Sequence, residues 1–349
     1  MTLDIISPIS PADLRRARAE NPKTRARDLA ESLGASEASL LAAHVGYAPA
    51  GAGRVVRINT ALDRLFPAIQ TLGDVMALTR NRSCVHERRG QYEDYHSGAH
   101  AAMVLGTEID LRMFPKHWVH GFAVLDGPRP SLQVFDAAGD AVHKVFLTQG
   151  SDHAAFDKLV RDLQSDDNTD TIQLVPRAPV EGPKLRPEKA DDLRRDWAEM
   201  TDTHQFLRMV SKLKMNRLGA YRVAGAPWAF ALRPDAVTGV LQKAAQDQIP
   251  LMIFVGNQGC IQIHGGPVTR IEPMGPWINV LDPRFNLHLR ADHVAEVWHV
   301  IKPIRDGMAH SIEAFDADGT LIGQIFGKRA PDTRAFRAMV EALPRKAEI

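Results

Sequence analysis

The sequence predicts an α+β protein with an internal duplication, in which each half is a large, mainly antiparallel β-sheet with helices packed at one side. Two observations carry this prediction. Residue identities of the first half recur at a constant spacing in the second half. Each half also begins with helical patterns and continues with short alternating runs broken by Gly, Pro and Asp. Strands that follow one another without intervening helices favour an antiparallel sheet over a βαβ arrangement.

The duplication is visible in one register. Asn81 and Cys84 in "NRSCVHERRG" recur as Asn257 and Cys260 in "NQGCIQIHGG", 176 positions later. The same spacing matches Val104 with Val280, Leu105 with Leu281, Leu111 with Leu287, His117 with His293 and Val124 with Val300. "FDAAGDAVHKVF" at 135–146 then matches "FDADGTLIGQIF" at 315–326 at a spacing of 180, so we expect four extra residues in a hairpin loop of the second copy. So long a period indicates one duplicated domain and not a repeat array.

A proline-rich stretch separates the copies. "LVPRAPVEGPKLRPEKADD" contains four prolines in quick succession, which neither a helix nor a central strand accepts. We therefore predict an N-terminal repeat at 1–173, a linker at 174–192 and a C-terminal repeat at 193–349. In the second copy we predict eight successive strands, at "LMIFVGN", "GCIQIHGG", "VTRIEPMG", "INVLDP", "FNLHLRA", "AEVWHVIKP", "HSIEAFDADG" and "LIGQIFG".

The composition limits the function classes. The 43 basic and 42 acidic side chains nearly cancel, so the chain as a whole has no field that would collect nucleic acid or anionic lipid. Its 2 cysteines cannot form a disulfide framework, and the first residues lack the pattern of a signal peptide. No run approaches 18 consecutive apolar residues, so we expect no membrane span. These features predict a cytoplasmic protein.

The segment "TRARDLAESLGASEASLLAAHVG" at 24–46 has the pattern of the first two helices of a helix-turn-helix, with Gly34 at the turn. A recognition helix needs Arg, Asn or Gln along its exposed face. The second helix, "SEASLLAAHV", offers small and apolar side chains instead. We therefore expect an ordinary helical hairpin, and DNA binding stays the weaker alternative.

Histidines and cysteines supply two further candidates. The pairs His96 with His100 and His117 with His120 have spacings that a zinc site can use. A zinc site also needs a third ligand, and none is evident, so we do not expect zinc. The cysteines of the two copies occupy matching strand positions without an evident neighbouring cation or base, which is typical of buried core residues.

His204 in "TDTHQFLRMV" is the strongest single candidate for a ligand. Thr201 or Asp202 is the expected N-cap, which would put the imidazole in the first turn of a helix. The apolar positions expected to face the core are Phe206, Leu207, Val210 and Leu213. A lone helical histidine is more often structural than a ligand, and the pattern alone leaves both interpretations open.

Several motifs resemble those of the cytoplasmic haemin-degrading and haemin-transport proteins of the HemS type in Gram-negative bacteria. They are "TDTHQFLRMVSK", "NQGCIQIHGGPVTRIEPMGPWINVLDPRFNLHL", "KPIRDG", "FDADGTLIGQIFGKR" and, in the first copy, "GAHAAMVLGTEIDLRMFP". The resemblance extends over nearly the whole chain. It implies two similar α+β halves, which agrees with the duplication described above.

The resemblance implies a haem site. It makes His204 the proximal iron ligand and Arg112, from the first copy, the distal arginine. Other pocket residues that it implies, at the propionates or on the distal side, are Arg217, Lys302, Gln324 and Arg329. His100 matches a second, weaker haem site proposed in some members. Members often have Tyr at the position of Phe326, so a hydrogen bond from that phenol would be absent here.

The chemical structure of haem explains why its binding site would contain residues of these types. A flat macrocycle with two carboxylates needs an apolar slot, one neutral imidazole and cations at its rim. Candidate apolar walls are Phe114, Trp277 and Phe326. The expected function is oxidative haem degradation with release of iron, by an electron donor that the sequence does not identify. The alternative is a carrier that takes haem from an importer and hands it to a separate haem oxygenase, because one axial ligand also suits reversible binding.

Overall fold

The structure is a computed structural model that describes residues 9–47, 54–125, 129–328 and 333–346. Its helices are α1 (Pro11–Glu20), α2 (Ala26–Ser32), α3 (Glu37–Ala42), α4 (Leu62–Ile69), α5 (His153–Leu163), α6 (Ala190–Ala198), α7 (Gln205–Lys212), α8 (Arg217–Ala224), α9 (Ala236–Gln246) and α10 (Arg334–Glu341). Among the described residues, no helix is both long enough and apolar enough to cross a membrane.

The strands of the first half are β1 (Val55–Arg57), β2 (Gly73–Arg80), β3 (Cys84–Gly90), β4 (Tyr95–His96), β5 (Ala102–Leu105), β6 (Asp110–Met113), β7 (His120–Val124), β8 (Ser131–Phe135) and β9 (Ala141–Ser151). Those of the second half are β10 (Ala229–Leu232), β11 (Leu251–Gly256), β12 (Cys260–Gly266), β13 (Ile271–Met274), β14 (Trp277–Asp282), β15 (Phe285–Arg290), β16 (Glu296–Ile304), β17 (Gly307–Phe315) and β18 (Leu321–Gly327).

The strands form two nine-stranded antiparallel sheets. The first has the order β1-β7-β8-β9-β2-β3-β15-β14-β13, and the second has the order β10-β16-β17-β18-β11-β12-β6-β5-β4. Each strand of the first order is replaced in the second by its counterpart from the other copy. The predicted α+β class and internal duplication are thus confirmed. The eight strands predicted in the second copy are β11 to β18, while the short β10 was not predicted.

The recurring asparagines explain part of the sequence repeat. Asn81 Oδ1 accepts a hydrogen bond from the backbone N–H of Cys84 at 2.9 Å, and its Nδ2 donates to two backbone carbonyls at 3.1 and 2.8 Å. Asn257 Oδ1 accepts the equivalent bond from Cys260 at 3.0 Å, and its Nδ2 donates to carbonyls at 2.9, 3.3 and 2.9 Å. Each asparagine therefore fixes a turn that begins a strand and satisfies buried backbone groups.

The four extra residues of the second copy lengthen a hairpin. We expected them in its loop, but β16 and β17 contain nine residues each, whereas β7 and β8 contain five each. The pairing of β16 with β17 continues to Ile304 opposite Gly307, so the insertion extends the antiparallel ladder. Lys302 lies in this extension, opposite Ala309.

The chain divides into two compact units. The first unit contains residues 1–80, 87–177 and 257–262, and the second contains residues 81–86, 178–256 and 263–349. Each unit therefore includes a six-residue segment from the other half of the sequence. Within 174–186 there is no helix or strand, and α6 begins at Ala190. The division at a 174–192 linker stays a prediction.

In the second unit, helices cover both faces of the sheet formed by β16, β17 and β18. On one face, α9 and α10 pack in an apolar cluster that includes Val297 and Ile312. On the other face, α6, α7 and α8 pack in a cluster that includes Trp298 and Val300. Successive strand residues point to opposite faces, so the apolar residues of β16 serve both clusters. Helices therefore flank this sheet on both faces and not at one side only.

The cluster of α6, α7 and α8 is built around closely packed aromatic side chains. The ring centroids of Trp197 and Phe206 are 4.8 Å apart, and those of Phe206 and Tyr221 are 5.5 Å apart. Trp197 Nε1 donates a hydrogen bond to the carbonyl of Ile301 at 2.9 Å, which ties α6 to β16. This packing fixes the positions of the N-termini of α7 and α8, where the candidate site residues lie.

Candidate functional site

His204 lies at the N-terminal end of α7 and projects into solvent. Its side chain is 88% exposed, and its Nδ1 is 2.7 Å from Asp202 Oδ1. The same carboxylate oxygen accepts a hydrogen bond from the His204 backbone N–H at 2.8 Å. Because the carboxylate can only accept from Nδ1, the neutral form of the ring carries its proton on Nδ1 and its lone pair on Nε2. The arrangement leaves one ring nitrogen available as a ligand.

The helix begins later than the sequence analysis predicted. His204 is itself the N-cap of α7, and neither Thr201 nor Asp202 occupies that position. The turn before the helix is closed by the side chain of Gln205, which accepts a hydrogen bond from the Thr201 backbone N–H at 2.9 Å. Leu207 was expected in the core but is 56% exposed on the same side of the helix as His204. An exposed imidazole and an exposed apolar side chain thus lie one helical turn apart.

A cluster of buried polar side chains lies under the first turn of α8. Glu313 on β17 is fully buried and accepts hydrogen bonds from Lys302 Nζ at 2.7 Å and from Arg217 Nη1 at 2.9 Å. It also accepts from the hydroxyls of Tyr221 at 2.8 Å and Ser311 at 2.9 Å. Every group in this cluster has a partner, as a buried network requires. Lys302, which the resemblance implies as a pocket residue, is only 3% exposed.

The charges of this cluster do not cancel. Burial by itself would raise the pKa of Glu313, but Lys302 and Arg217 lower it to about 2. Burial lowers the pKa of Lys302 to about 8, partly offset by Glu313. Burial also acts to lower the pKa of Arg217, but Tyr221 and Glu313 outweigh it and raise that pKa. At neutral pH two cations therefore face one carboxylate, and the surplus positive charge suits a further anion at the partly exposed Arg217.

The second sheet continues from this cluster as a half-buried aromatic surface. Gln324 and Phe326 point to the same face of β18, because they are two residues apart in a strand. Gln324 lies opposite Glu313 and Phe254 in the strand register. The rings of Phe254 and Phe326 meet edge to face at 5.2 Å. The second unit therefore contains an apolar surface beside the buried cations.

Arg112 and Phe114 belong to the first unit. The Arg112 side chain is 32% exposed, and its Nη1 pairs with the Asp110 carboxylate and donates to the Leu111 carbonyl at 3.0 Å. Burial raises the pKa of Asp110, and the adjacent guanidinium partly opposes this. Phe114 follows β6 and is half-buried, with its backbone N–H donating to Gly259 at 2.9 Å. One terminal nitrogen of the predicted distal arginine is thus already engaged.

The remaining predicted site residues are His100, Trp277 and Arg329. His100 is exposed in a bend of the first unit. Trp277 begins β14, and the Arg290 guanidinium lies over its ring at 5.3 Å. Arg329 lies outside the described residues. Among the described residues, no group of three or more His, Cys, Asp or Glu side chains has the arrangement of a metal site.

Both cysteines are buried core residues, as the sequence predicted. Cys84 is 3% exposed and Cys260 is fully buried. Burial raises the pKa of each thiol, to about 12 for Cys260, where a contact with Thr79 partly opposes it. A thiol with so high a pKa is a poor nucleophile at neutral pH.

Sequence reasoning missed three residues that shape the site. Tyr221 and Glu313 read as ordinary members of a helix and a strand, because their partners are distant in the sequence. Asp202 was treated only as a candidate N-cap, although its carboxylate contacts the imidazole two residues later. The spacing Asp-x-His was the signal that could have revealed it, because a carboxylate commonly orients a ligating histidine.

Known proteins are similar to this chain over nearly its whole length. A protein-family model described as "Haemin-degrading HemS.ChuX domain" matches residues 34–163 and 214–343. The hemin transport protein HmuS of Yersinia pestis is 37% identical over 341 residues, which cover 95% of this chain and 96% of HmuS.

Two groups of solved structures are also similar. PhuS of Pseudomonas aeruginosa, described as a heme-binding protein, is 42% identical with a TM-score of 0.90 and covers 97% of this chain and 100% of its own. ChuS of Escherichia coli O157:H7, described as a heme degrading enzyme, is 31% identical with a TM-score of 0.85 and covers 96% of this chain and 99% of its own. With two family-model matches spaced as the two copies are, the chain belongs to the haemin-degrading HemS.ChuX-domain family.

Proposed function

We propose that this protein binds haem through His204 and degrades it oxidatively with release of iron. The observation that carries the binding proposal is the exposed imidazole whose Nδ1 is held by Asp202 and whose Nε2 is left available. Haem iron takes an axial ligand from the protein, and the imidazole nitrogen of a histidine is a common one. The similarity to PhuS and HmuS, whose names describe haem or haemin binding and transport, supports haem as the molecule that is bound.

Other residues of the second unit suit the rest of a haem molecule. Leu207 offers an exposed apolar contact on α7, and Phe254 with Phe326 forms a half-buried aromatic surface on the sheet. Haem carries two carboxylates, and the surplus positive charge at Arg217 and Lys302 is complementary to a carboxylate. The Phe326 side chain supplies only apolar contact, because it lacks a hydroxyl.

Binding is tested by comparing His204→Ala with a matched histidine variant. His96 also lies two residues after an aspartate, and its Nε2 is 2.9 Å from Asp94 Oδ1. We expect His204→Ala to lose the wild-type Soret spectrum and to bind haem at least tenfold more weakly, while His96→Ala behaves as wild type. A His204→Ala variant with the wild-type spectrum and affinity would disprove the ligand assignment.

Degradation is supported by the similarity to ChuS, which is described as a heme degrading enzyme and as a heme oxygenase. In this proposal Arg112 donates hydrogen bonds on the distal side. The second candidate is a carrier that receives haem from an importer and passes it to a separate oxygenase. It is favoured by the engagement of Arg112 with Asp110 and Leu111, which reduces the donors left for a distal role.

One experiment separates the two candidates. Haem-loaded protein is given reductant and O₂ in the presence of catalase, and the Soret band and the extracted pigment are followed. For the enzyme, Arg112→Ala should bind haem nearly as well as wild type but degrade it at least about tenfold more slowly, since loss of one charge-stabilising donor typically costs about 3 kcal/mol in the barrier. Wild-type protein that stays spectrally intact for hours, yet transfers haem to an oxygenase, would establish the carrier instead.

A further inference from the structure

The contact between Asp202 and His204 is held in place by the backbone. One carboxylate oxygen accepts both the ring Nδ1–H at 2.7 Å and the backbone N–H of His204 at 2.8 Å. Gln205 closes the same turn, accepting from the Thr201 backbone N–H at 2.9 Å and donating to the Thr201 hydroxyl at 3.2 Å. The turn therefore fixes the position of the Asp202 carboxylate relative to the imidazole. This position does not depend only on the rotamer of an exposed side chain.

We propose that Asp202 is a positioning residue that orients the His204 imidazole, fixes its tautomer and increases its electron donation to a bound iron. This inference rests on the proposed function of His204. A carboxylate that accepts the Nδ1 proton keeps the lone pair on Nε2 and makes that nitrogen more basic. A more basic nitrogen stabilises ferric iron more than ferrous iron, because ferric iron carries the larger charge. Asp202 thus favours the ferric form of the bound haem.

The exposure of Asp202 and His204 to water determines how strong their contact is. The Asp202 side chain is 56% exposed and that of His204 is 88% exposed, so water screens their attraction and it adds little to folding stability. A macrocycle that covers the imidazole removes this water, and the same contact becomes stronger in the lower dielectric. We therefore expect Asp202 to affect haem binding much more than folding.

Two other places in the chain show that the arrangement is specific. Asp94 and His96 have the same Asp-x-His spacing, but there the carboxylate contacts Nε2, which leaves only the more hindered Nδ1. In the first copy, the positions 180 residues before Asp202 and His204 are Pro22 and Thr24, which offer neither carboxylate nor imidazole. Only at Asp202 does the described structure combine a backbone-anchored carboxylate with an exposed Nε2.

The test compares Asp202→Asn with wild type and with Asp191→Asn as a matched control. Asp191 is a fully exposed carboxylate on α6, so its variant makes the same charge change on the same helical cluster. The asparagine oxygen can still accept both N–H groups, so the Asp202→Asn turn should persist, and circular dichroism checks this. The readouts are the ferric haem dissociation constant, the midpoint potential of the haem complex, and the iron–histidine stretching frequency of the ferrous complex.

We expect Asp202→Asn to bind ferric haem about tenfold or more weakly, as is typical for loss of a carboxylate behind a metal-ligating histidine. If ferrous affinity is unchanged, a tenfold loss raises the midpoint potential by about 59 mV. The iron–histidine frequency should fall, Asp191→Asn should match wild type, and Asp202→Glu should recover part of the shift.

Failure of this inference can be distinguished from failure of the proposed function. If His204→Ala loses the haem spectrum but Asp202→Asn has the wild-type potential and stretching frequency, the positioning role is wrong and haem ligation by His204 stands. If His204→Ala keeps the wild-type spectrum, both the ligand assignment and the role of Asp202 are wrong. An equal shift in Asp191→Asn would also overturn the inference, because it would reveal a nonspecific charge effect.

Discussion

Substituting Glu313 by glutamine tests whether the buried ion cluster stabilises the second unit. The carboxylate is fully buried and is contacted by Lys302 at 2.7 Å and Arg217 at 2.9 Å. Its neutral replacement would leave two cations without a counterion. Removing one partner of a buried ion pair typically costs about 3 to 5 kcal/mol, because the remaining charge is desolvated and unpaired.

The pKa of the carboxylate gives an independent figure of similar size. A shift from 4.5 to about 2 corresponds to roughly 3 kcal/mol at about 1.4 kcal/mol per pKa unit. Because the folded-state pKa is depressed, this contribution is fully present above pH 4.5 and is lost as the pH falls toward 2. The burial of Lys302, in contrast, lowers the free energy of unfolding. Burial depresses its pKa from 10.5 to about 8, so its cost is present at neutral pH and is relieved as the pH rises between these values.

Urea unfolding followed by tryptophan fluorescence measures the effect. Trp197, Trp228, Trp277 and Trp298 are four of the 5 tryptophans, and all four lie in the second unit, so the signal reports mainly on that unit. With an m-value of about 2 kcal/mol/M, a loss of about 3 to 5 kcal/mol lowers the midpoint by roughly 1.5 to 2.5 M. The matched control is Glu341→Gln, which removes an exposed partner of Arg337 and should cost less than about 1 kcal/mol.

The pH dependence makes the test sharper. The difference between wild type and Glu313→Gln should shrink as the pH falls from 4.5 toward 2, since wild type then loses the same charge. Adding Lys302→Met should recover part of the loss, because it removes one uncompensated cation. A midpoint for Glu313→Gln as close to wild type as that of Glu341→Gln, or no recovery in the double variant, would refute the reasoning.

Three further predictions concern the folded frame of the two units. Phe206→Ala should lower the free energy of unfolding by about 3 to 5 kcal/mol in urea titrations, because its buried ring packs between two aromatic side chains. Burial lowers the pKa of His143 from 6.5 to about 3, so its ring should stay neutral between pH 4 and 8 in NMR titrations. Since the unfolded state then binds more protons, stability should fall as the pH drops from 6.5 toward 3, and His143→Gln should flatten this slope. Asn81→Ala and Asn257→Ala should each cost at least about 2 kcal/mol, measured by thermal or urea unfolding, because each leaves two backbone N–H groups without their acceptor.

The fold was largely predictable because its signals are local. Alternating apolar and polar residues predicted β11 to β18, and the repeated asparagines and cysteines predicted the duplication. The exchange of 81–86 and 257–262 between the compact units was not predictable, because strand pairing depends on partners far away in the sequence. The lengthened β16–β17 hairpin was missed for a related reason, since an insertion can extend a ladder as readily as a loop.

The site was predictable only in part. The position of His204 near a helix start was predicted from the sequence, whereas a place for Arg217 in the site was implied only by the resemblance and stays a prediction. The buried position of Lys302 was not predicted, because the sequence shows a charge but not the partner that lets it be buried. Glu313 alternates with Ile312 and Ala314 along β17, a pattern typical of a solvent-facing position. The helices α7 and α8 cover that face instead.

Comparing the two copies shows how one of them came to hold the candidate site. Glu37 and Lys144 of the first copy stand 180 positions before Arg217 and Gln324 of the second, the same spacing as the two family-model matches. Glu37 and Lys144 form a buried ion pair, with side chains 8% and 9% exposed. One carboxylate therefore pairs with one ammonium group in the first copy. The corresponding corner of the first copy is therefore electrically balanced and carries no surplus charge for an anionic ligand.

The second copy reverses the sign at the helix start and adds a cation on the extended hairpin. Arg217 replaces an acidic residue, and Lys302 lies in an extension of β16 that the shorter strand β7 lacks. Glu313 balances only one of these two charges. Where the first copy has Thr24, the second presents His204 with Nε2 available. Because both copies share the same strand order, the fold alone does not create the site. The candidate site depends on a few residue differences between the copies, at the start of α8, on the β16–β17 hairpin and before α7.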